Sequence, residues 1–229
     1  MVKRLLSIDF DIIMAPCIKL YNDMSNGGEN PTVTWNAIEF ERGVDEKFLM
    51  YDANTYKTLV KLVKMVMDFN IFCNVVPVTA HHEIIDNLKK SLDYDETTYD
   101  LINIDYHHDI MYRPQDRNTI KNFDKYNCSN WVGYLMLKDK IDKYTWVKAG
   151  NSLAYDHRLD GKTPLDFDVQ SLRYIEDGIK YPNSLRPDQI SPINISTIYL
   201  CLSPQWVPYK YHHLYDLIVE LFSKEGEIQ

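Results

Sequence analysis

A chain of 229 residues is long enough for one α/β domain and can bury a sizeable core without help from disulfides. Apolar residues make up 45% of it and glycine occupies only 8 positions, which excludes collagenous, low-complexity and disordered classes. A formal net charge of −8 argues against the basic face that general nucleic-acid binding needs, and it suits a cationic substrate.

From Met1 the chain passes through Lys3 and Arg4 into a short apolar run with no secretory h-region or cleavage site. No stretch of roughly eighteen uncharged apolar residues follows, so a cytoplasmic protein with no membrane partner is expected. The first run, Leu5-Leu6-Ser7-Ile8-Asp9-Phe10, reads as a buried strand with acid at its exit. The following stretch, through Asn26-Gly27-Gly28 to Pro31, reads as loop, and Val33 to Phe40 as either a short strand or a substrate loop. After Asp52 or Asn54 as N-cap, Tyr56, Leu59, Val60, Val63, Val66 and Met67 recur at helical spacing with lysines opposite. Ile71 to Val78 is β-rich, and a second helical pattern runs through Ile84, Ile85, Leu88 and Leu92. Leu101-Ile102-Asn103-Ile104-Asp105 repeats the opening pattern, and a long polar loop is expected from Arg113 to Asn127. A helix near Ser129 to Leu137, strands at Tyr144 to Val147 and Thr197 to Leu202, and a helix carrying Leu214, Leu217, Ile218, Leu221 and Phe222 complete the pattern. Such alternation implies a single domain, residues 1–229, folded as a three-layer α/β/α sandwich with a mainly parallel sheet. Ligands gather outside the carboxyl ends of such strands, where Asp9 and Asp105 fall.

Side chains two residues apart on an extended segment point the same way, so Asp9 with Asp11, and Asp105 with His107 and Asp109, can face one pocket. So many carboxylates together repel one another unless a divalent cation neutralises them. The histidines reinforce this. His81 and His82, and His107 and His108, form pairs at two strand exits, whereas His157, His212 and His213 have no such context. One member of the His81/His82 pair completes a set of six ligands, Asp9, Asp11, Asp105, His107 and Asp109 being the others. Carboxylate and imidazole without thiolate favour manganese or iron over a structural zinc, and the ligand count suits two bridged ions. Asp11 and His108 are candidates for proton transfer, and Asn130, Ser203, Gln205, Glu39 and Glu41 for accepting from a cationic fork. Trp35, Trp131 and Trp206 are equally suited to a peptide groove or to the core. Cys17, Cys73, Cys128 and Cys201 form no CxxC pair and read as free, structural thiols.

Asp105-Tyr106-His107-His108-Asp109 resembles the D-x-H-x-D metal motif of the ureohydrolases, the arginase and agmatinase superfamily, and Ser7-Ile8-Asp9-Phe10-Asp11 is similar to their S-x-D-x-D motif. Thr79-Ala80-His81-His82-Glu83 resembles a degenerate form of their G-G-D-H segment, with His82 at the metal-binding histidine. The S-x-D-x-D strand opens this chain instead of closing it, as in a circularly permuted arginase sheet. With Cys128-Ser129-Asn130-Trp131 and Ser203-Pro204, the whole pattern resembles the small family that includes the peptide arginases. The resemblance implies an arginase-like fold and two Mn2+ ions held by Asp9, Asp11, His82, Asp105, His107 and Asp109. It further implies conversion of arginine side chains in a ribosomally made precursor peptide to ornithine, with release of urea. The chain departs from the pattern in lacking the paired glycines, in placing Met14 where a further Asp is common, and in carrying Val132 near the usual place of a proton-shuttling histidine. Two other functions fit the same residues: an amidohydrolase or deacetylase with a single zinc, and a binding protein that has lost activity.

Overall fold

The computed structural model describes residues 1–14, 50–70, 72–110, 114–148, 190 and 192–223. Expectations for the segments around Cys17, Asn26 to Phe40 with Trp35 and Glu39, Glu41, and His157 lie outside the described residues. Among the described residues five strands form one sheet: β1 (Val2–Asp9), β2 (Asn74–Val78), β3 (Thr98–Asp105), β4 (Ile141–Lys148) and β5 (Ile195–Cys201). Their order is β2-β5-β1-β3-β4, and every neighbouring pair is parallel, so the α/β class with a parallel sheet holds. The sheet is wholly parallel where a mainly parallel one was expected.

Alternate side chains of a strand face opposite sides, and β1 shows the consequence. Leu6 and Ile8 join a core with Leu59, Leu62, Val63 and Val66 of α1 (Ala53–Phe69) and with Ile218 and Phe222 of α5 (His212–Ser223). Leu5 joins a second core with Ile84, Ile85 and Leu88 of α2 (Glu83–Lys89) and with Trp131, Tyr134 and Leu135 of α4 (Trp131–Leu137). A further helix, α3, spans Pro114–Phe123. Asp52 is the N-cap of α1: its carboxylate accepts from the Asn54 amide at 2.8 Å and from the Thr55 hydroxyl at 2.8 Å.

Two elements depart from the sequence reading. The expected polar loop from Arg113 to Asn127 contains α3, which starts at a proline, the residue best tolerated at a first helical position. The second helical pattern ends early: α2 stops at Lys89, and Leu92, expected on its apolar face, is fully exposed.

Strand register decides what meets at the carboxyl edge. Asp9 pairs with Cys201, Val78 also pairs with Cys201, and Asp105 pairs with Lys148. Ile8 pairs with Ile104, so the next residues, Asp9 and Asp105, leave adjacent strands side by side. The two acidic motifs therefore share one edge because β1 lies between β5 and β3.

Candidate metal centre

Each acidic strand ends in the same local device. The Asp9 carboxylate accepts from the Asp11 amide at 2.9 Å, and the Asp105 carboxylate accepts from the His107 amide at 2.7 Å. Such turns, in which an aspartate binds the backbone two residues on, bend the chain out of the sheet. Convergence therefore comes from paired turns, with Asp11 already in a 3-10 segment (Phe10–Met14), and not from continued extended chain. The Asp11 carboxylate receives the Tyr106 amide at 3.4 Å and lies 3.1 Å from His107 Nδ1, which joins the two turns directly.

Asp109 is brought in by a separate feature. Its backbone has φ 51°, a left-handed conformation that Asp tolerates better than most residues. Its carbonyl accepts from the Val132 and Gly133 amides at 3.1 and 3.4 Å, so the start of α4 anchors it. Its side chain receives the Trp131 indole N–H at 2.8 Å.

Of the His81/His82 pair, it is His81 whose imidazole joins this cluster. Its Nδ1 lies 2.8 Å from Asp109, 3.3 Å from Asp9 and 3.3 Å from Asp105, and its Nε2 lies 3.3 Å from the Ser7 hydroxyl. His82, favoured by the motif resemblance, is instead the N-cap residue of α2, and its buried Nδ1 has no hydrogen-bond partner among the described residues. The segment carrying both is bracketed by Glu83, whose carboxylate accepts from the Thr79 and Ala80 amides at 3.2 and 3.1 Å.

Three overlapping groups of possible ligand atoms result, each with its atoms within 4.8 Å of one another: Asp11, Asp105 and His107; His81, Asp105 and Asp109; and Asp9, His81 and Cys201. The four aspartates are almost wholly buried. Burial raises the pKa of Asp9, Asp11 and Asp105 well above the usual carboxylate range, and repulsion from neighbouring aspartates adds to it. Asp109 is pushed up to about 7, chiefly by burial, with His107 opposing. A site that destabilises its own anions in this way is suited to a cation, which reverses the electrostatic balance. The oxygen and nitrogen donors fit a hard or intermediate divalent ion.

The other expected residues divide. Ser203 is buried beside the cluster with φ 48°, but its hydroxyl donates to Asp9 at 2.6 Å, which makes it a support for that carboxylate. The buried Asn130 closes its own loop by accepting from the Asn127 amide at 2.8 Å. His108 Nδ1 accepts from the Ile110 amide at 3.0 Å and its ring meets Trp146 edge-on. Gln205 lies half-buried in the turn after β5, and the next residue, Trp206, packs against His107 with ring centroids 4.9 Å apart and the ring planes tilted by 38°. Glu39 lies outside the described residues. Among the described residues Cys73, Cys128 and Cys201 are free thiols, as expected.

Four residues take roles at the centre that were not expected of them: Ser7, read only as part of a motif, lies against His81; Trp131, read as groove or core, donates its indole N–H to Asp109; Asn103 donates to Asp105 at 3.1 Å; and Cys201, read as a structural thiol, lies beside Asp9. A signal existed for Cys201. Cys201-Leu202-Ser203 closes an apolar strand with two polar side chains two residues apart, as Asp9-Phe10-Asp11 does.

No helix among the described residues is long and apolar enough to cross a membrane. Compared with protein-family models, curated proteins and solved structures, the chain matches none.

Proposed function

We propose that this chain is a metal-dependent hydrolase of arginase-like, three-layer α/β/α architecture, acting on the guanidinium group of arginine within a peptide. The observation that carries the reading is the convergence of four buried carboxylates and two imidazoles at the carboxyl edge of a parallel sheet, with His81 Nδ1 within 3.3 Å of three of them. Asp9, Asp11, His81, Asp105, His107 and Asp109 would hold two Mn2+ ions, with His81 taking the position that the motif resemblance assigns to His82. When bound, such ions lower the pKa of water towards neutrality, supplying a nucleophile for a poor electrophile.

The reaction adds water to the guanidinium carbon and breaks its bond to the side-chain nitrogen, leaving a protonated ornithine amine and neutral urea. Asp11 accepts one proton of the attacking water and returns it to the departing nitrogen, and the second water proton leaves the new urea oxygen for the same nitrogen as the bond breaks. Gln205 accepts hydrogen bonds from the guanidinium N–H groups, and Trp206, tilted against the partly exposed His107, receives the planar cation. Ser203 and Trp131 hold the Asp9 and Asp109 carboxylates in place. His108, bound to the Ile110 amide, has a structural role in this scheme.

The test is incubation of the Mn2+-loaded protein with an arginine-containing peptide and, separately, with free arginine at equal concentration. Urea and ornithine should appear in equal amounts and faster from the peptide. Absence of urea from both would refute the guanidino-hydrolase reading, and faster turnover of free arginine would refute the peptide preference. The Asp-His-Asp group of Asp105, His81 and Asp109 favours one alternative, a single-zinc amidohydrolase, which one bound ion per chain in place of two would support.

A further inference from the structure

Among the described residues, the thiol grouped with the acids and imidazoles of this centre is that of Cys201, a soft donor among hard ones. Cys201 ends β5 fully buried and paired with Asp9 in register, and its Sγ, the Asp9 carboxylate and a His81 nitrogen lie within 4.8 Å of one another. The thiol is held from two sides, 3.7 Å from the Thr79 carbonyl and 3.3 Å from the Ser203 hydroxyl, and that hydroxyl donates to Asp9. A buried carboxylate, imidazole and thiol set is a donor combination that borderline and soft divalent ions prefer and that Mn2+ does not select.

Resting on the metal centre described above, we propose that Asp9, His81 and Cys201 form a distinct, thiol-containing cation position that takes a thiophilic divalent ion such as Zn2+ or Cd2+ in competition with the oxygen- and nitrogen-lined positions around Asp105. The competition follows from geometry. His81 Nδ1 is 3.3 Å from Asp9 and 2.8 Å from Asp109, so a cation that takes this nitrogen together with Asp9 removes it from the Asp105 and Asp109 group. Binding displaces the thiol proton to solvent and forms the metal–sulfur bond. Thiophilic ions should therefore expel Mn2+ and inhibit the centre, and this sensitivity should reside in one residue.

The full-length, metal-free protein is titrated with Cd2+ in the absence of substrate. The ultraviolet thiolate-to-cadmium charge-transfer band should grow to one equivalent, persist when Cys17, Cys73 and Cys128 are all replaced by serine, and vanish in Cys201→Ser. A band that survives Cys201→Ser, or its absence from the unsubstituted protein, overturns the proposal. If Cys201→Ser does not fold, the triple-serine protein decides, because Cys201 is then the sole thiol. Its cadmium NMR resonance must fall in the range of sulfur-containing shells, and a resonance typical of oxygen and nitrogen alone refutes the thiol position. Separate titration with Mn2+ distinguishes the two levels of the argument. Mn2+ binding without a cadmium–sulfur signal overturns only the thiol position, whereas failure of both ions to bind removes the metal centre as well.

Discussion

At the residue scale, Asp109 and His81 show how individual side chains are committed to the centre. Asp109 spends its backbone carbonyl on the start of α4 and its carboxylate on Trp131 and His81. His81 places one nitrogen among three carboxylates and the other against Ser7. Removing its imidazole should therefore strip the cation site, whereas His82 contributes only a cap position on α2. His81→Ala should lower Mn2+ affinity beyond the roughly 100-fold limit typical of changes outside the ligand shell, and His82→Ala should leave it near the unsubstituted value. Isothermal titration of both variants checks this, and the reverse ranking would return the ligand role to His82.

At the scale of elements, the centre is assembled from strand ends and the turns that follow them, and α2 adds a bracket that touches no ligand atom. Glu83, in the first turn of α2, binds the amides of Thr79 and Ala80 and so sets the path of the segment leading to His81. The Leu202 and Ser203 amides extend β5 onto Val78 and Thr79, at 3.0 Å each, and fix the same segment from the other side. Glu83→Ala should leave the fold intact because the buried face of α2 is carried by Ile84, Ile85 and Leu88. It should weaken Mn2+ binding on the order of 10–100-fold, as supporting residues typically do. Circular dichroism together with metal titration separates the two effects, and undiminished affinity would show that the bracket does not position His81.

At the scale of the whole molecule, the centre is a source of instability that a bound cation would reverse. A carboxyl group whose folded pKa is raised binds its proton more tightly in the folded than in the unfolded chain, so the folded state gains stability as pH falls. For Asp109 the penalty is absent below the ordinary value of 3.8 and fully present above about 7. Asp9, Asp11 and Asp105 are shifted in the same direction by burial and mutual repulsion. The metal-free protein should therefore melt at a higher temperature at mildly acidic pH than at mildly alkaline pH. Saturating Mn2+ should invert the slope, because protons compete with the ion for the same oxygens. At a hundredfold excess over Kd, each ion should add about 2.7 kcal/mol. Asp109→Asn, which keeps an acceptor for Trp131 and tolerates φ 51°, should flatten the metal-free slope. Melting curves across this range with and without Mn2+ are the measurement, and a metal-free melting temperature that rises with pH would contradict the account.

Much of the fold was legible in the sequence because the cues are local. Apolar runs ending in aspartate marked β1 and β3, helical spacing marked α1, and the acidic and imidazole donors of the centre stood in three short motifs. The α3 helix escaped notice because Pro114–Phe123 is largely polar and offers little apolar periodicity to read. The choice between His81 and His82 could not be local either. Neighbouring residues at a helix start point about 100° apart, and which one faces the carboxylates depends on the phase fixed when Ile84, Ile85 and Leu88 pack into the core. Cys201 became part of the centre only because the strand order sets β5 between β1 and β2, pairing its last residue with Asp9. Residue identity and local pattern set which donors are present and on which strand ends. The tertiary structure alone decided which donors converge, because strand order and helix phase are set by burying two apolar faces at once.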